Sequence, residues 1–237
     1  MQNKQIIQRV QSVYSKGVSS DDSRLTSRHI YNKMVTLRTR LIVQELNKKK
    51  SLSAWNYQTL PCVQLVKVPL HDCPCIVPDG CTISRSVERI PRLLSSLFGD
   101  SLKGVYTLNR KSISQIDMNT VEYLGGGRYT SKEPRFFFHN EYLYVVNTNL
   151  EVVSVTGVFE DPILAVKFKN FCNKECKDCD TCVDYRELEF PLDAELVDVL
   201  IELAKQDLVN TFLTVPQDNR NNNNDERLVQ PENGKQS

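Results

Sequence analysis

Histidine, tryptophan and long apolar runs are scarce in this chain of 237 residues, which holds three histidines and one tryptophan. The opening segment MQNKQIIQRVQSVYSKG lacks the apolar run of a signal peptide. No stretch approaches the roughly 18 consecutive apolar residues that a membrane span requires. We therefore expect a soluble, intracellular product with no membrane partner.

The sequence also lacks the motifs of catalysis. The glycine run in EYLGGGRYT (122–130) fits neither the phosphate-binding loop nor the dinucleotide fingerprint. No serine lies in a nucleophile-elbow context, and no pair of carboxylates stands out from ordinary surface charge. The histidines are scattered along the chain, at His29, His71 and His139. The sequence therefore predicts a protein that is not an enzyme.

Cysteine is abundant by contrast, and four of the eight cysteines lie in the run CNKECKDCDTC, namely Cys172, Cys176, Cys179 and Cys182. Zinc knuckles usually come in two pairs separated along the chain, whereas this C-x₃-C-x₂-C-x₂-C pattern is one run. An iron–sulfur cluster is disfavoured, because the spacing is reversed and Val183 replaces the usual proline. Structural zinc, free thiols and disulfides remain open as alternatives, and catalysis is excluded.

A second group of potential ligands lies upstream and could join the first if the fold brings them together, namely Cys62, His71, Cys73, Cys75 and Cys81. A chain of this size, with 40% hydrophobic residues, can bury a core without a metal or disulfide staple. We therefore expect no required cofactor, with structural zinc as the alternative.

Charge is distributed unevenly although the formal net charge is only +1. Residues 1–50 hold 11 Lys and Arg against 3 Asp and Glu, and residues 174–237 hold 7 against 15. Two interpretations stay open. The terminal segments can pack on each other within one molecule, or the basic end of one subunit can contact the acidic end of the next in a head-to-tail ring.

Helical periodicity marks the two ends of the chain. Apolar residues recur at helical spacing over 6–14, over 22–50 and over 193–212. Ser19–Asp22 and Asp193 are the predicted N-caps of the second and third helices. Between these helices, short segments rich in β-branched and aromatic residues predict strands, at 62–68, 104–108, 135–138, 142–146, 150–159 and 164–171. His139–Glu141 is predicted to be a hairpin turn.

These patterns predict an α+β fold in which long N-terminal and C-terminal helices form a helical frame with an inserted antiparallel β domain. The predicted divisions are an N-terminal helical segment (1–58), the β domain (59–190), a C-terminal helix packed on the N-terminal helices (191–213), and a polar, Asn-rich tail ordered only by partners (214–237).

The basic second helix raises an alternative function. Its cations could follow nucleic-acid phosphates, namely Arg24, Arg28, Lys33, Arg38 and Arg40. Together with the cysteine run, this surface would suit a zinc-stabilised nucleic-acid-binding regulatory protein. Basic helix faces are more often solvated or paired with protein carboxylates, so a structural role is favoured.

Two stretches carry a resemblance to a known family: SRHIYNKMVTLRTRLIVQELNKKKSLSAWNYQTLPCVQLVKVPLHDCPC (27–75) and FPLDAELVDVLIELAKQDLV before the polar end. Both resemble the virion structural proteins of crAss-like bacteriophages, in particular those that form rings between portal and tail. The resemblance covers the two helical ends and the first strand, and it assigns a binding role to no individual residue.

The resemblance implies a structural subunit of the head-to-tail connector, assembled in the bacterial host cytoplasm and located in the virion. Its partners would be further copies of itself in a ring of twelve, the portal protein, and neighbouring ring or tail proteins. Genome DNA would be contacted only by passage through the central duct.

Overall fold

The structure is a computed structural model, and it describes residues 1–14, 26–68, 83–121, 133–147, 149–168 and 184–212. The cysteine run 172–182 and the glycine run at 125–127 lie outside the described residues. So do His71, Cys73, Cys75 and Cys81 of the second ligand group.

Four α-helices are described, with a short 3-10 helix before the first strand and a further 3-10 segment at 118–121. The α-helices are α1 (Asn3–Tyr14), α2 (Ser27–Asn47), α3 (Pro162–Lys167) and α4 (Ala194–Phe212), and the 3-10 helix is Ala54–Asn56. The N-cap of α2 is Thr26, whose Oγ1 accepts a hydrogen bond from the amide of His29 at 3.3 Å. The helix therefore begins later than the predicted cap at Ser19–Asp22.

Nine strands are described, and seven of them close into a barrel in the order β1-β2-β8-β7-β6-β5-β9. Their bounds are β1 (Gln58–Lys67), β2 (Ile83–Ser86), β5 (Leu102–Thr107), β6 (Ser112–Gln115), β7 (Arg135–His139), β8 (Tyr142–Val146) and β9 (Val152–Gly157). The pairs are antiparallel except for the parallel pair β6–β7. The remaining two strands, β3 (Ser95–Ser96) and β4 (Gly99–Asp100), form a separate hairpin.

Alternating side chains fill the barrel. Val105, Phe136, Leu143 and Val155 are buried together in the barrel core. On β7 and β8 the intervening residues are buried as well, because Phe137 stacks on Tyr144 at 5.1 Å between ring centroids in a second apolar cluster. These two strands are therefore covered on both faces, which explains their continuous runs of apolar residues.

The turn between β7 and β8 confirms the predicted hairpin. His139 pairs with Tyr142, and the two residues between them adopt left-handed backbone angles, with φ of 49° at Asn140 and 67° at Glu141. Two successive residues with positive φ are typical of the type I′ turn, whose twist matches that of the flanking strands.

The three longer helices pack against one another beside the barrel. Their shared core contains Ile6, Met34, Leu41, Leu200 and Ala204 among other buried residues. Helix α4 contacts both α1 and α2. The apolar face of this last helix is thus buried against two neighbours.

The predicted fold class, a helical frame of long terminal helices around an inserted antiparallel β domain, is wrong. The main body is a closed seven-stranded barrel with one parallel pair, and two of the four described helices span only 12 and 6 residues. Alternation along a strand reveals which face is buried, but it does not reveal whether the sheet closes on itself. Helices α1, α2 and α4 bury their apolar faces on each other, whereas the short α3 packs on β1 and contributes Ala165 to the barrel core.

The predicted strand at 164–171 is also wrong, because its first residues belong to α3. Asp161 caps this helix through Oδ1, which accepts from the amide of Ile163 at 2.8 Å, and Pro162 occupies the first turn. An Asp-Pro pair is a strong helix start. Leu164 and Val166 produced the misleading alternation, and both are exposed.

Candidate assembly surface

Three large apolar side chains are the most exposed of their kind among the described residues, and two of them are neighbours in the chain. Trp55 is 73% exposed, Leu97 is 83% exposed and Phe98 is 62% exposed. Large apolar groups that cluster in solvent mark contact surfaces more often than isolated ones do. Leu97 and Phe98 form the tip of the β3–β4 hairpin, which we call the hairpin tip, whereas Trp55 belongs to the 3-10 helix that precedes β1.

Local hydrogen bonds fix the shape of the hairpin tip. The Ser96 hydroxyl accepts from the amide of Phe98 at 3.3 Å and donates to the carbonyl oxygen of Gly99 at 2.9 Å. Gly99 has φ of 106°, a conformation that residues with a Cβ rarely adopt. The turn therefore holds the Leu97 and Phe98 side chains outward.

Helix α2 supports the hairpin tip from one side. The amide of Leu97 donates to Oδ1 of Asn47, the last residue of α2, at 3.2 Å. Nζ of Lys49 lies 5.2 Å from the centroid of the Phe98 ring, a distance at which a cation attracts an aromatic face. The tip is thus held against the end of α2 and carries a cation beside its aromatic ring.

Trp55 borders a groove of about 770 Å³ between the 3-10 helix, α1 and the start of α4. We call it the Trp55 groove. Its walls include Met1, Tyr57, Phe190, Pro191, Ala194 and Val197. These residues come from three distant parts of the chain, and no residue of the β3–β4 hairpin lines the groove.

The walls of the groove are held together by buried polar contacts. Asn56 is buried, and its Oδ1 accepts from the amide of Asp193 at 3.0 Å, which ties the 3-10 helix to the start of α4. The amide of Phe190 donates to the carbonyl oxygen of Met1 at 2.9 Å. These contacts fix the groove within the folded subunit.

The rim of the Trp55 groove is predominantly acidic. Glu189, Asp193 and Asp198 line it, together with Arg9. Arg9 and Asp198 lie 3.8 Å apart, and both side chains are mostly exposed, so this ion pair adds little to stability. The rim would therefore favour a partner that brings positive charge.

Arg38 joins the helices to the barrel from a fully buried position. Its Nε donates to the carbonyl oxygen of Pro191, and its Nη1 donates to that of Phe159, both at 2.9 Å. Burial lowers the pKa of Arg38 to about 10, which leaves it protonated at neutral pH. Burial, with a smaller contribution from Asp161, raises the pKa of the neighbouring Tyr31, which stays neutral.

The cations predicted to form a basic face on α2 are not all free to contact a nucleic acid. Arg38 is buried, and Nζ of Lys33 lies 2.7 Å from a carboxylate oxygen of Asp207 on α4. Arg28 and Arg40 are exposed, and Arg24 lies outside the described residues. Two of the five cations therefore serve contacts within the molecule, which weakens the nucleic-acid interpretation.

The same ion pairs bear on the uneven charge of the two ends. Lys33–Asp207 and Arg9–Asp198 both join the basic N-terminal segment to the acidic C-terminal segment inside one subunit. The intramolecular interpretation therefore holds for these two pairs. Other exposed charges, such as Lys49 and Glu195, are still available for contacts between subunits.

The predicted metal ligands Cys172, Cys176, Cys179 and Cys182 lie outside the described residues. Cys62 lies on β1, is buried, and is disulfide-bonded. Across the described ranges, no three His, Cys, Asp or Glu side chains cluster closely enough to hold a metal ion.

Within those ranges, too, no helix is both long and apolar enough to cross a bilayer.

Sequence reasoning missed both the hairpin tip and the Trp55 groove. The tip has a local signal, because SSLFGD places an apolar pair between a serine and a glycine. The groove has none, since its walls meet only in the folded chain. The burial of Arg38 was also indicated by the sequence, because Arg38 lies four residues after Met34 and three before Leu41, on the apolar side of the helix.

Comparison with known proteins fits a subunit that offers contact surfaces. The family model described as phage tail ring protein 2 matches residues 5–227. Ring protein 2 of Bacteroides phage crAss001 is 29% identical over 222 residues, which cover 88% of this chain and 91% of that protein. The resemblance inferred from the sequence is confirmed. The chain belongs to the phage tail ring protein 2 family and is a structural ring subunit of a bacteriophage virion, not an enzyme.

Proposed function

We propose that this ring subunit belongs to the connector between portal and tail, where twelve copies join the head to the tail and extend the DNA conduit. The observation that carries the proposal is the pair of unlike contact surfaces on one subunit, the hairpin tip and the Trp55 groove. A head-to-tail ring needs two different patches on each copy, whereas a two-fold dimer needs only one.

Two further features support a connector role. A closed barrel has no free sheet edge, so it can stand in a crowded assembly without pairing to foreign strands. The formal net charge of +1 gives little overall attraction to DNA, which suits a duct through which a genome must pass without being held. Its neighbours would be the portal protein and adjacent ring or tail proteins, with assembly in the host cytoplasm.

Quantitative mass spectrometry of purified particles tests this placement. Peptides of this chain should be present in a one-to-one ratio with peptides of the portal protein, because both rings would contain twelve copies. A ratio far from one, or particles that lack the chain, would contradict the proposal.

Duplex DNA should bind the purified chain only weakly. The net charge is small and two of the five candidate cations are engaged inside the subunit, so we expect no submicromolar affinity at physiological salt. Fluorescence anisotropy with a labelled duplex over a series of salt concentrations measures this. Tight binding with a steep salt dependence would favour the nucleic-acid-binding regulator over the connector subunit.

Chelation should leave the fold unchanged, because we propose that no cofactor is required and that the cysteine run has a structural role. Excess EDTA should not shift the melting temperature, and metal analysis should find zinc well below one ion per chain. Cys176→Ser and Cys179→Ser should still assemble. Stoichiometric zinc that both substitutions abolish would instead establish a metal site.

A further inference from the structure

The hairpin tip is an exposed apolar feature that the subunit itself does not cover. The amides of Leu97 and Phe98 donate hydrogen bonds to Asn47 Oδ1 and Ser96 Oγ, which fix the tip, so the exposure of both side chains is built into the fold. A partner that covers them would remove their apolar surface from water, which stabilises a complex. The tip is therefore suited to insert into an apolar site.

The Trp55 groove is the complementary feature. Its floor is made by Phe190 and Val197, which are already buried, and Trp55 at its border is 73% exposed. An exposed tryptophan beside an apolar floor can close over an inserted aromatic side chain. Trp is also the residue type most enriched among energetic hot spots of interfaces.

The tip of a subunit is held away from its own groove. The Leu97 amide is bonded to the end of α2, and the groove is lined by the 3-10 helix and by residues of α1 and α4. The tip of a subunit is therefore not the occupant of that subunit's own groove. Because the chain forms rings, the occupant can be the tip of the next copy, and each copy then uses one tip and one groove.

Charge favours this pairing. Lys49 lies over the Phe98 ring, whereas Lys48 and Lys50 both pair with Glu45 at 3.1 Å. The groove is lined by the carboxylates of Glu189, Asp193 and Asp198, of which Asp198 pairs with Arg9. A tip that brings the Lys49 cation to the remaining carboxylates would be steered into register before its apolar groups are buried.

We propose that the Leu97–Phe98 hairpin tip of one copy inserts into the Trp55 groove of the next copy, and that this contact closes the ring. The proposal rests on the ring assembly and adds the residues that form its subunit contact. It does not depend on which level of the connector the ring occupies.

Photo-crosslinking of the full-length chain tests the contact. Phe98→benzoylphenylalanine is prepared in one batch and mixed with an isotope-labelled chain, so that crosslinks between copies are recognised by mass. We expect crosslinks from position 98 to peptides containing Trp55 or residues 189–198 of the other copy.

Leu108→benzoylphenylalanine is the matched control. Leu108 is 60% exposed and follows the far end of β5, about 20 Å along the strand from the hairpin.

Crosslinks between copies that join position 98 to another surface, or no crosslinks between copies at all, would overturn the proposal. In a second arm, Phe98→Glu and Trp55→Ala should each weaken self-association by at least about tenfold, whereas Leu108→Glu should not. Mixing the first two variants should restore only dimers, because one intact tip and one intact groove remain.

The outcomes separate this contact from the proposed place in the virion. Rings that persist in Phe98→Glu and Trp55→Ala would overturn the contact and leave the connector role standing. Tip-to-groove crosslinks, combined with a copy number in the particle far from that of the portal protein, would support the contact and contradict the connector role.

Discussion

Replacing Arg38 by alanine should lower the free energy of unfolding by about 3–5 kcal/mol. The change removes two hydrogen bonds at 2.9 Å and leaves the carbonyl oxygens of Phe159 and Pro191 without these donors. It also opens a cavity where a fully buried side chain joined α2 to the barrel. Urea unfolding followed by circular dichroism measures the loss.

Arg40→Ala is the matched control, since Arg40 lies two residues further along the same helix and is exposed. It should change stability by no more than about 0.5 kcal/mol. Arg38→Met keeps most of the volume but none of the donors, so its cost should lie between the two. If Arg38→Ala cost less than about 1 kcal/mol, Arg38 would not be the joint between helices and barrel.

Phe136→Ala should cost about 3–5 kcal/mol, because it empties the centre of the barrel. Phe136 is 2% exposed and packs among the apolar side chains of the barrel core, with the Phe138 ring 5.9 Å away between centroids. Thermal or urea unfolding of the purified chain gives the difference directly.

Phe98→Ala provides the comparison with the same chemical change at an exposed site. It should alter the stability of the subunit by about 0.5 kcal/mol or less, because only the contact with Lys49 is lost. Equal costs for the two substitutions would mean that the barrel core is not packed as described. Comparing the two substitutions also distinguishes an effect on folding from an effect on assembly, since Phe98→Ala should affect only assembly.

The helices could be predicted from the sequence because their periodicity is local. Met34, Leu37 and Leu41 recur at steps of three and four residues, and all are buried in the helical core. The turn at Asn140 and Glu141 was predictable for the same reason, since a hairpin turn depends on adjacent residues.

Barrel closure could not be predicted, because it depends on pairings between residues that are far apart in the chain. Gln58 pairs with Gly157, and Leu102 on β5 pairs with the same glycine from the other side. One barrel strand, β2, also lacks any alternation of apolar residues. On β2, Ser84 and Ser86 are buried, and the Ser86 hydroxyl donates to the carbonyl oxygen of Glu88.

The sequence indicated that copies could contact one another, but it did not indicate which residues form the contact. Uneven charge suggested contacts between copies, yet Lys33–Asp207 and Arg9–Asp198 show that some of this charge is paired within the subunit. The Trp55 groove joins residues 54–58 to residues 189–198, and no local pattern reveals that they meet. A structure was needed to find both halves of the contact.

A whole-particle reconstruction by electron microscopy would show where this chain lies in the virion. We expect a closed ring of twelve copies between the portal and the tail, around a central duct, with the hairpin tip of each copy in the Trp55 groove of its neighbour. A particle in which this chain is absent, or lies as separate copies away from the head-to-tail axis, would contradict this expectation.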